Sequence, residues 1–156
     1  MQSNEHTIEV LNDLIKINND RIAGYERAIS EAKDLDVDLK ATFESMIRES
    51  ENYKNELTSE VNRLGGDIED ETTTAGKIYR AWMDVKATFT GSDRQTILDS
   101  CEFGEDAAQR AYEAAMARDN DVAEDARGLI TEQQRALKNS HDLIKKYRDA
   151  HRALDR

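Results

Sequence analysis

The sequence predicts an all-α fold, and three observations support this. The chain of 156 residues contains no proline and only seven glycines, so residues that interrupt helices are scarce. Apolar residues recur at steps of three, four and seven, which is the spacing of one face of a helix. Charged residues make up 35% of the chain and hydrophobic residues 38%, a balance that suits helices burying one stripe each. Residues 1–156 are therefore predicted to form a single four-helix-bundle domain.

The first two helices are predicted to form a hairpin over residues 5–64. The stripe of the first helix contains Ile8, Leu11, Ile15, Ile22, Tyr25 and Ile29. Asp36, in the loop "KDLDVD", is a candidate N-cap for a second helix with its stripe from Leu39 to Leu64. That helix is expected to end at Gly65, because glycine adopts the left-handed conformation at little cost.

A long connection over residues 65–92 follows, and it is predicted to contain a short helix. Ile78, Trp82, Val85 and Phe89 share one helical face, which indicates a helix at roughly residues 75–90, ended by Gly91. Trp82 is expected to lay this helix against the bundle. Such a connection is long enough to cross the whole bundle.

The last two helices are predicted to form a second hairpin over residues 93–154. Ser92 with Gln95, and Asp121 with Glu124, form capping-box patterns at the helix starts. The inner faces carry Leu98, Cys101, Ala108, Tyr112 and Ala115, then Ile130, Leu137, Ile144, Tyr147 and Leu154.

The two hairpins overlay when the chain is shifted by 87 residues. The shift pairs Leu11 with Leu98, Tyr25 with Tyr112, Ala28 with Ala115, Asp34 with Asp121 and Phe43 with Ile130. Chance similarity between amphipathic helices is the alternative, but the register persists across a loop. The overlay predicts two pseudo-repeated hairpins that share one core, and it places Glu105 on Asn18, both polar positions within apolar stripes.

The charge of the chain limits its partners. A formal net charge of −11 disfavours binding to nucleic acid and to anionic membranes, so a protein partner or self-association is expected. No apolar run approaches a membrane span, and "MQSNEHTIEV" lacks the features of a signal peptide. The single cysteine, Cys101, lies on an apolar face and is expected to be an inert thiol in a reducing cytoplasm.

The stretch "EDAAQRAY", in which Tyr112 follows Glu105 by seven residues, resembles the metal-ligand helix of the ferritin-like superfamily, rubrerythrins included. This resemblance implies a four-helix bundle with one long crossover. It also implies that each hairpin supplies a Glu from its first helix and a Glu-x-x-His from its second. In the second hairpin Glu105 and His141 match, but Lys138 stands where the second Glu is expected.

In the first hairpin Asn18 replaces the Glu of the first helix, Glu51 matches, and Lys54 replaces the His. The candidate metal ligands that remain are Glu51, Glu105 and His141. Because an ammonium group has no lone pair and repels a divalent cation, the two lysines favour ion pairs in place of metal. We expect Lys138 to pair with Glu105, and Lys54 with Glu51.

Three alternatives stay open at this point. One is a working di-iron site: iron or another divalent ion between the hairpins, with Glu51, Glu105 and His141 among its ligands, would be the cofactor of a redox or storage protein. Another is a single metal ion held by Glu105, His141 and a neighbouring carboxylate such as Glu102. Alternatively, Glu105 tilts to the edge of the bundle and meets water.

The chain also resembles, almost end to end, an uncharacterised bacterial family of ferritin-like bundles. The passages "VLNDLIKINNDRIAGYERA", "NRLGGDIEDETTTAGKIYRAWMDVKATFTG", "CEFGEDAAQRAYE" and "SHDLIKKYRD" carry this resemblance. It implies a soluble bacterial protein associated with stress. The acidic composition and the lack of a complete catalytic set favour, in addition, a role in assembly or interaction. Since the sequence contains no complete catalytic set, it favours a non-catalytic role without a cofactor and leaves enzymatic activity open.

Overall fold

The computed structural model of the chain describes residues 2–31, 37–68, 76–86, 94–117 and 122–154. These ranges contain five helices and no strand: α1 Gln2–Glu31, α2 Val37–Arg63, α3 Lys77–Lys86, α4 Arg94–Ala115 and α5 Glu124–Leu154. The predicted all-α bundle, with a short helix in its crossover, is confirmed. Asp36, Ser92 and Asp121, the expected caps, lie outside the described residues, as do Phe89 and Gly91.

Two helical hairpins form the bundle. The contacts between α1 and α2, and between α4 and α5, are the most extensive, while α1 also contacts α4 and α2 contacts α5. The short helix α3 packs on both α1 and α4. Within the described ranges, no helix is both long and apolar enough to cross a membrane.

The pattern of burial repeats between the hairpins. Each buried residue of α2 from Leu39 to Leu57 has a buried counterpart in α5 at the 87-residue shift. The buried pairs are Leu39/Ala126, Phe43/Ile130, Met46/Gln133, Ser50/Leu137, Tyr53/Ser140 and Leu57/Ile144 in these two helices, and Val10/Ile97, Leu11/Leu98, Leu14/Cys101, Asn18/Glu105, Arg21/Ala108, Tyr25/Tyr112 and Ala28/Ala115 in α1 and α4. The two hairpins therefore bury equivalent positions, and their buried apolar residues form two clusters.

Helix α2 ends at the glycines that the sequence indicates. Gly65 has a φ of 81°, and the amides of Gly65 and Gly66 donate to the carbonyls of Asn62 and Val61 at 3.0 Å. This is a Schellman motif, in which a left-handed residue satisfies the last carbonyls of the helix.

Two aspartates of α1 hold α3 in place. The Asp13 carboxylate accepts hydrogen bonds from the backbone amides of Gly76, at 2.9 Å, and Tyr79, at 3.2 Å, and so caps the start of α3. Asp20 Oδ2 accepts hydrogen bonds from the Tyr79 hydroxyl at 2.7 Å and from Trp82 Nε1 at 3.0 Å. Trp82 is buried, so its expected role in laying the crossover helix on the bundle is confirmed.

Asp20→Ala should loosen α3 from the bundle. The change leaves two part-buried donors without their shared acceptor, and we expect a loss of about 2 kcal/mol in the free energy of unfolding. Trp82 is the only tryptophan, so its fluorescence reports on this helix directly. Urea denaturation followed by Trp emission measures both effects, with exposed Glu26→Ala on the same helix as the control. Equal behaviour of the two variants would contradict the anchoring role of Asp20.

Candidate functional site

A buried ion pair between Arg21 of α1 and Glu105 of α4 lies in the core. Arg21 Nε donates to Glu105 Oε1 at 2.9 Å, and Arg21 Nη2 lies 2.8 Å from the same oxygen. The two side chains are 4% and 1% exposed. Glu105 therefore does not lie at the edge of the bundle in contact with water, which was one of the alternatives left by the sequence.

The Arg21 guanidinium also contacts α2. Its Nη1 donates to Ser50 Oγ at 2.7 Å, and its Nη2 lies 3.0 Å from Glu49 Oε1. Burial alone lowers the pKa of Arg21, but the charge of Glu105, with Tyr25 and Glu49, raises that pKa above its ordinary value. The group is a permanent cation that joins three helices.

Tyr25 and Tyr112 occupy equivalent positions in the two hairpins, and the hydroxyl of each makes hydrogen bonds at the centre of the bundle. The Tyr25 hydroxyl donates to Glu105 Oε1, and at the 87-residue shift Asn18 Nδ2 donates to the Tyr112 hydroxyl at 3.0 Å. Tyr112 in turn donates to Gln133 Oε1 at 2.6 Å. Burial, followed by the charge of Glu105, raises the pKa of Tyr25 well above its usual value, so Tyr25 remains a phenol that can donate a hydrogen bond.

The cation beside Glu105 is Arg21 rather than the expected Lys138, which is exposed. The reason is angular: the buried positions of α5 on either side of Lys138 are Leu137 and Ser140, and each step along a helix turns the side chain by about 100°. Lys138 therefore points away from the core.

In α2 the expected ligand is likewise one residue away from a buried position: Glu51 follows the buried Ser50 and is exposed. Lys54 is half-buried. Metal binding by Glu51, Glu105 and His141 as one set stays a prediction. In the described residues, the donor atoms that converge belong to a different set: Glu102, Asp106 and His141, within 4.8 Å of one another.

The sequence identified Glu102 and His141 but not Asp106. Asp106 lies one helical turn after Glu102 on α4, and this i, i+4 spacing was the available signal. Asp106 Oδ1 and His141 Nε2 are in direct contact. Arg148 Nη1 lies 3.0 Å from Glu102 Oε1.

The surroundings of Cys101 disfavour reaction at its thiol. Its thiol is buried, and burial, together with the charge of Glu105, raises its pKa well above the usual value. The reactive form of cysteine is the thiolate, which is disfavoured here.

Comparison with known proteins places the chain in a family. Residues 6–118 match the family described as Domain of unknown function (DUF2383), and the chain belongs to it. No curated protein matches the sequence significantly. The fold is similar to a structure described as Dps from Microbacterium arborescens in the high iron form, with a TM-score of 0.74 and 14% identity over 97% of this chain and 95% of that one. The predicted ferritin-like fold is confirmed.

The fold raises the question of a metal centre, and the residues at the Arg21–Glu105 pair do not fit one. A pair of metal ions needs several carboxylates and imidazoles that converge on it. Here Glu105 and Glu49 share one guanidinium, and the inner positions Ser50 and Leu137 carry no carboxylate. The Arg21 cation occupies the space between the carboxylates.

The Arg21–Glu105 pair should show strong coupling in a double-mutant cycle. Arg21→Met leaves a buried carboxylate uncompensated, and we expect it to destabilise the fold by about 3 to 5 kcal/mol. Adding Glu105→Leu should recover much of that loss. Chemical denaturation of the four proteins measures the coupling, with Lys138→Met as the exposed control. Additive effects of the two single changes would contradict the pairing.

Proposed function

We propose that this member of the family is a non-catalytic helical bundle, with a degenerate ferritin-like site, that works by association. We infer a bacterial cytoplasmic protein of stress response or assembly, which binds copies of itself. The observation that carries the proposal is the Arg21 guanidinium between Glu49 and Glu105.

The Arg21 guanidinium disfavours metal binding between Glu49 and Glu105, and so disfavours redox or storage chemistry there. Arginine stays protonated in proteins, offers no lone pair, and repels a divalent cation. To admit a metal ion, Arg21 would have to leave Glu105 and Ser50 together, and its charge would remain in the core. The carboxylate of Glu105 is thus neutralised without a cofactor.

Association is supported by apolar side chains on the outer surface of the second hairpin. Phe103 of α4 is 44% exposed and Leu143 of α5 is 40% exposed. The net charge of −11 opposes contact between copies at low salt and disfavours nucleic acid as the partner. Self-association should therefore depend on screening of that charge.

The protein should not accelerate iron oxidation. We expect aerobic oxidation of Fe²⁺ at the background rate, because the centre holds Arg21 in place of exchangeable ligands. Absorbance in the near ultraviolet follows the reaction, with Glu113→Gln, an exposed change on α4, as the control for Glu105→Gln. Acceleration by the wild type that disappears in Glu105→Gln but not in Glu113→Gln would overturn the non-catalytic assignment.

Self-association should increase with salt and depend on the second hairpin. Raising salt from about 0.1 M to about 1 M shortens the Debye length from about 10 Å to about 3 Å and should favour association. The double variant Phe103→Ser, Leu143→Ser should associate less than wild type. Val37→Ser is the matched control, because Val37 is 83% exposed on the first hairpin. Sedimentation velocity measures this, and a monomer under every condition would contradict the proposal.

A further inference from the structure

We infer that α4 and α5 form a site for one divalent transition-metal ion, held by Glu102, Asp106 and His141. This site is separate from the Arg21–Glu105 pair and does not depend on the function proposed above. Its ligands face each other across the second hairpin.

The geometry brings the three donors together on packed helices. Glu102 and Asp106 are four residues apart on α4, so their side chains lie on one face, and His141 approaches them from α5. One donor atom of each residue lies within 4.8 Å of the others. The side chains are 17%, 36% and 17% exposed, in the order Glu102, Asp106, His141, so the site is shielded yet open to an entering ion.

The imidazole of His141 has a ring nitrogen that is available to bind a metal ion. Its Nε2 atom is buried and makes no aligned hydrogen bond with the described residues, although Asp106 Oδ1 lies in contact with it. His141 Nδ1 lies 3.3 Å from Asp142 Oδ1, which can accept a hydrogen bond from Nδ1–H in the tautomer whose Nε2 lone pair binds a metal ion.

Arg148 is the group that competes with a metal ion for Glu102. Its Nη1 lies 3.0 Å from Glu102 Oε1, and its Nη2 lies 2.9 Å from Asp149 Oδ1. The hydrogen bond to Asp149, followed by the charges of Glu102, Asp149 and Asp99, raises the pKa of Arg148, against the smaller opposing effect of burial. The charge of Arg148 is therefore shared among several carboxylates. It weakens the binding of a metal ion by Glu102 but does not prevent it.

The donor set indicates the class of ion. One imidazole nitrogen with two carboxylates suits Zn²⁺, Fe²⁺ or Mn²⁺, with water at the remaining positions, and is less typical of Ca²⁺ or Mg²⁺. At the 87-residue shift the first hairpin carries Ile15, Asn19 and Lys54, which cannot form such a site. One ion per chain is expected.

Calorimetric titration of the full, tag-free chain with Zn²⁺, after treatment with a chelator, tests the site. We expect one equivalent to bind, and Asp106→Asn and His141→Asn each to weaken binding by about tenfold or more. His6→Asn and Glu113→Gln are the controls and should bind like wild type. No saturable binding, or binding unchanged in both ligand variants, would overturn the inference.

A second variant separates a metal site from a purely structural cluster. Arg148→Gln removes the competing cation, and we expect Zn²⁺ to bind about two- to fivefold more tightly, the range that follows from an ion pair of this exposure. A cluster that serves only to pair charges would show no such gain. Circular dichroism verifies folding of each variant, and Glu102→Gln replaces any ligand variant that fails to fold. Weaker binding in Arg148→Gln would contradict the assignment of Glu102 as a ligand.

Discussion

The burial of one carboxylate, that of Glu105, determines the polar chemistry of the bundle centre. An isolated carboxylate in a core costs several kcal/mol, so it must be protonated, metal-bound or paired. Arg21 supplies the pairing, and its planar guanidinium has donors in several directions. It therefore contacts Glu49 and Ser50 as well, and three helices meet at one charge. A lysine at this position would offer a point charge and would not span the same set of partners.

The ion pair also breaks the symmetry between the hairpins. Glu105 and Arg21 stand at positions whose counterparts, at the 87-residue shift, are Asn18 and Ala108. The tyrosine contacts are retained on both sides, to Glu105 on one and Asn18 on the other. The carboxylate of Glu105 and the guanidinium of Arg21 are thus present together at one of two equivalent places, and both are absent at the other. The charges of these two residues therefore balance.

The frame of the fold was predictable from the sequence because its signals are local. Apolar periodicity and the glycines that end α2 each act within one or two helical turns, and the repeat adds a comparison of the two hairpins position by position. The partner of Glu105 was harder to identify, since arginine is ordinarily a surface residue. Even so, the steps 11, 14, 18, 21, 25 and 28 place Arg21 on the inner stripe of α1, and the repeat aligns it with Ala108. Spacing measured from a family pattern favoured Lys138 instead, one residue away from the buried position.

Helix α1 shows why periodicity alone could not resolve the polar residues. Residues 10–18 are all buried, because α1 is packed against α2, α3 and α4 at once. Residues 10–18 have no solvent face, so most of their polar side chains bind protein groups, although Lys16 Nζ makes no hydrogen bond with the described residues. Asp13 caps α3 and Asn12 donates to the Asp67 carbonyl at 2.9 Å.

Helix α4 is less enclosed, and the contrast explains where ligand chemistry remains in this fold. Ile15 of α1 is fully buried, whereas Glu102, its counterpart at the 87-residue shift, is partly exposed. A carboxylate at an enclosed position needs fixed protein groups around it: Glu105 has the Arg21 cation, and Asp13 has the backbone amides of Gly76 and Tyr79. At a partly exposed position, water lowers the cost of the free carboxylate, so an exchangeable ion can bind and leave. The enclosed and the open carboxylates of α4 are therefore suited to different roles, the first to cohesion of the core and the second to binding.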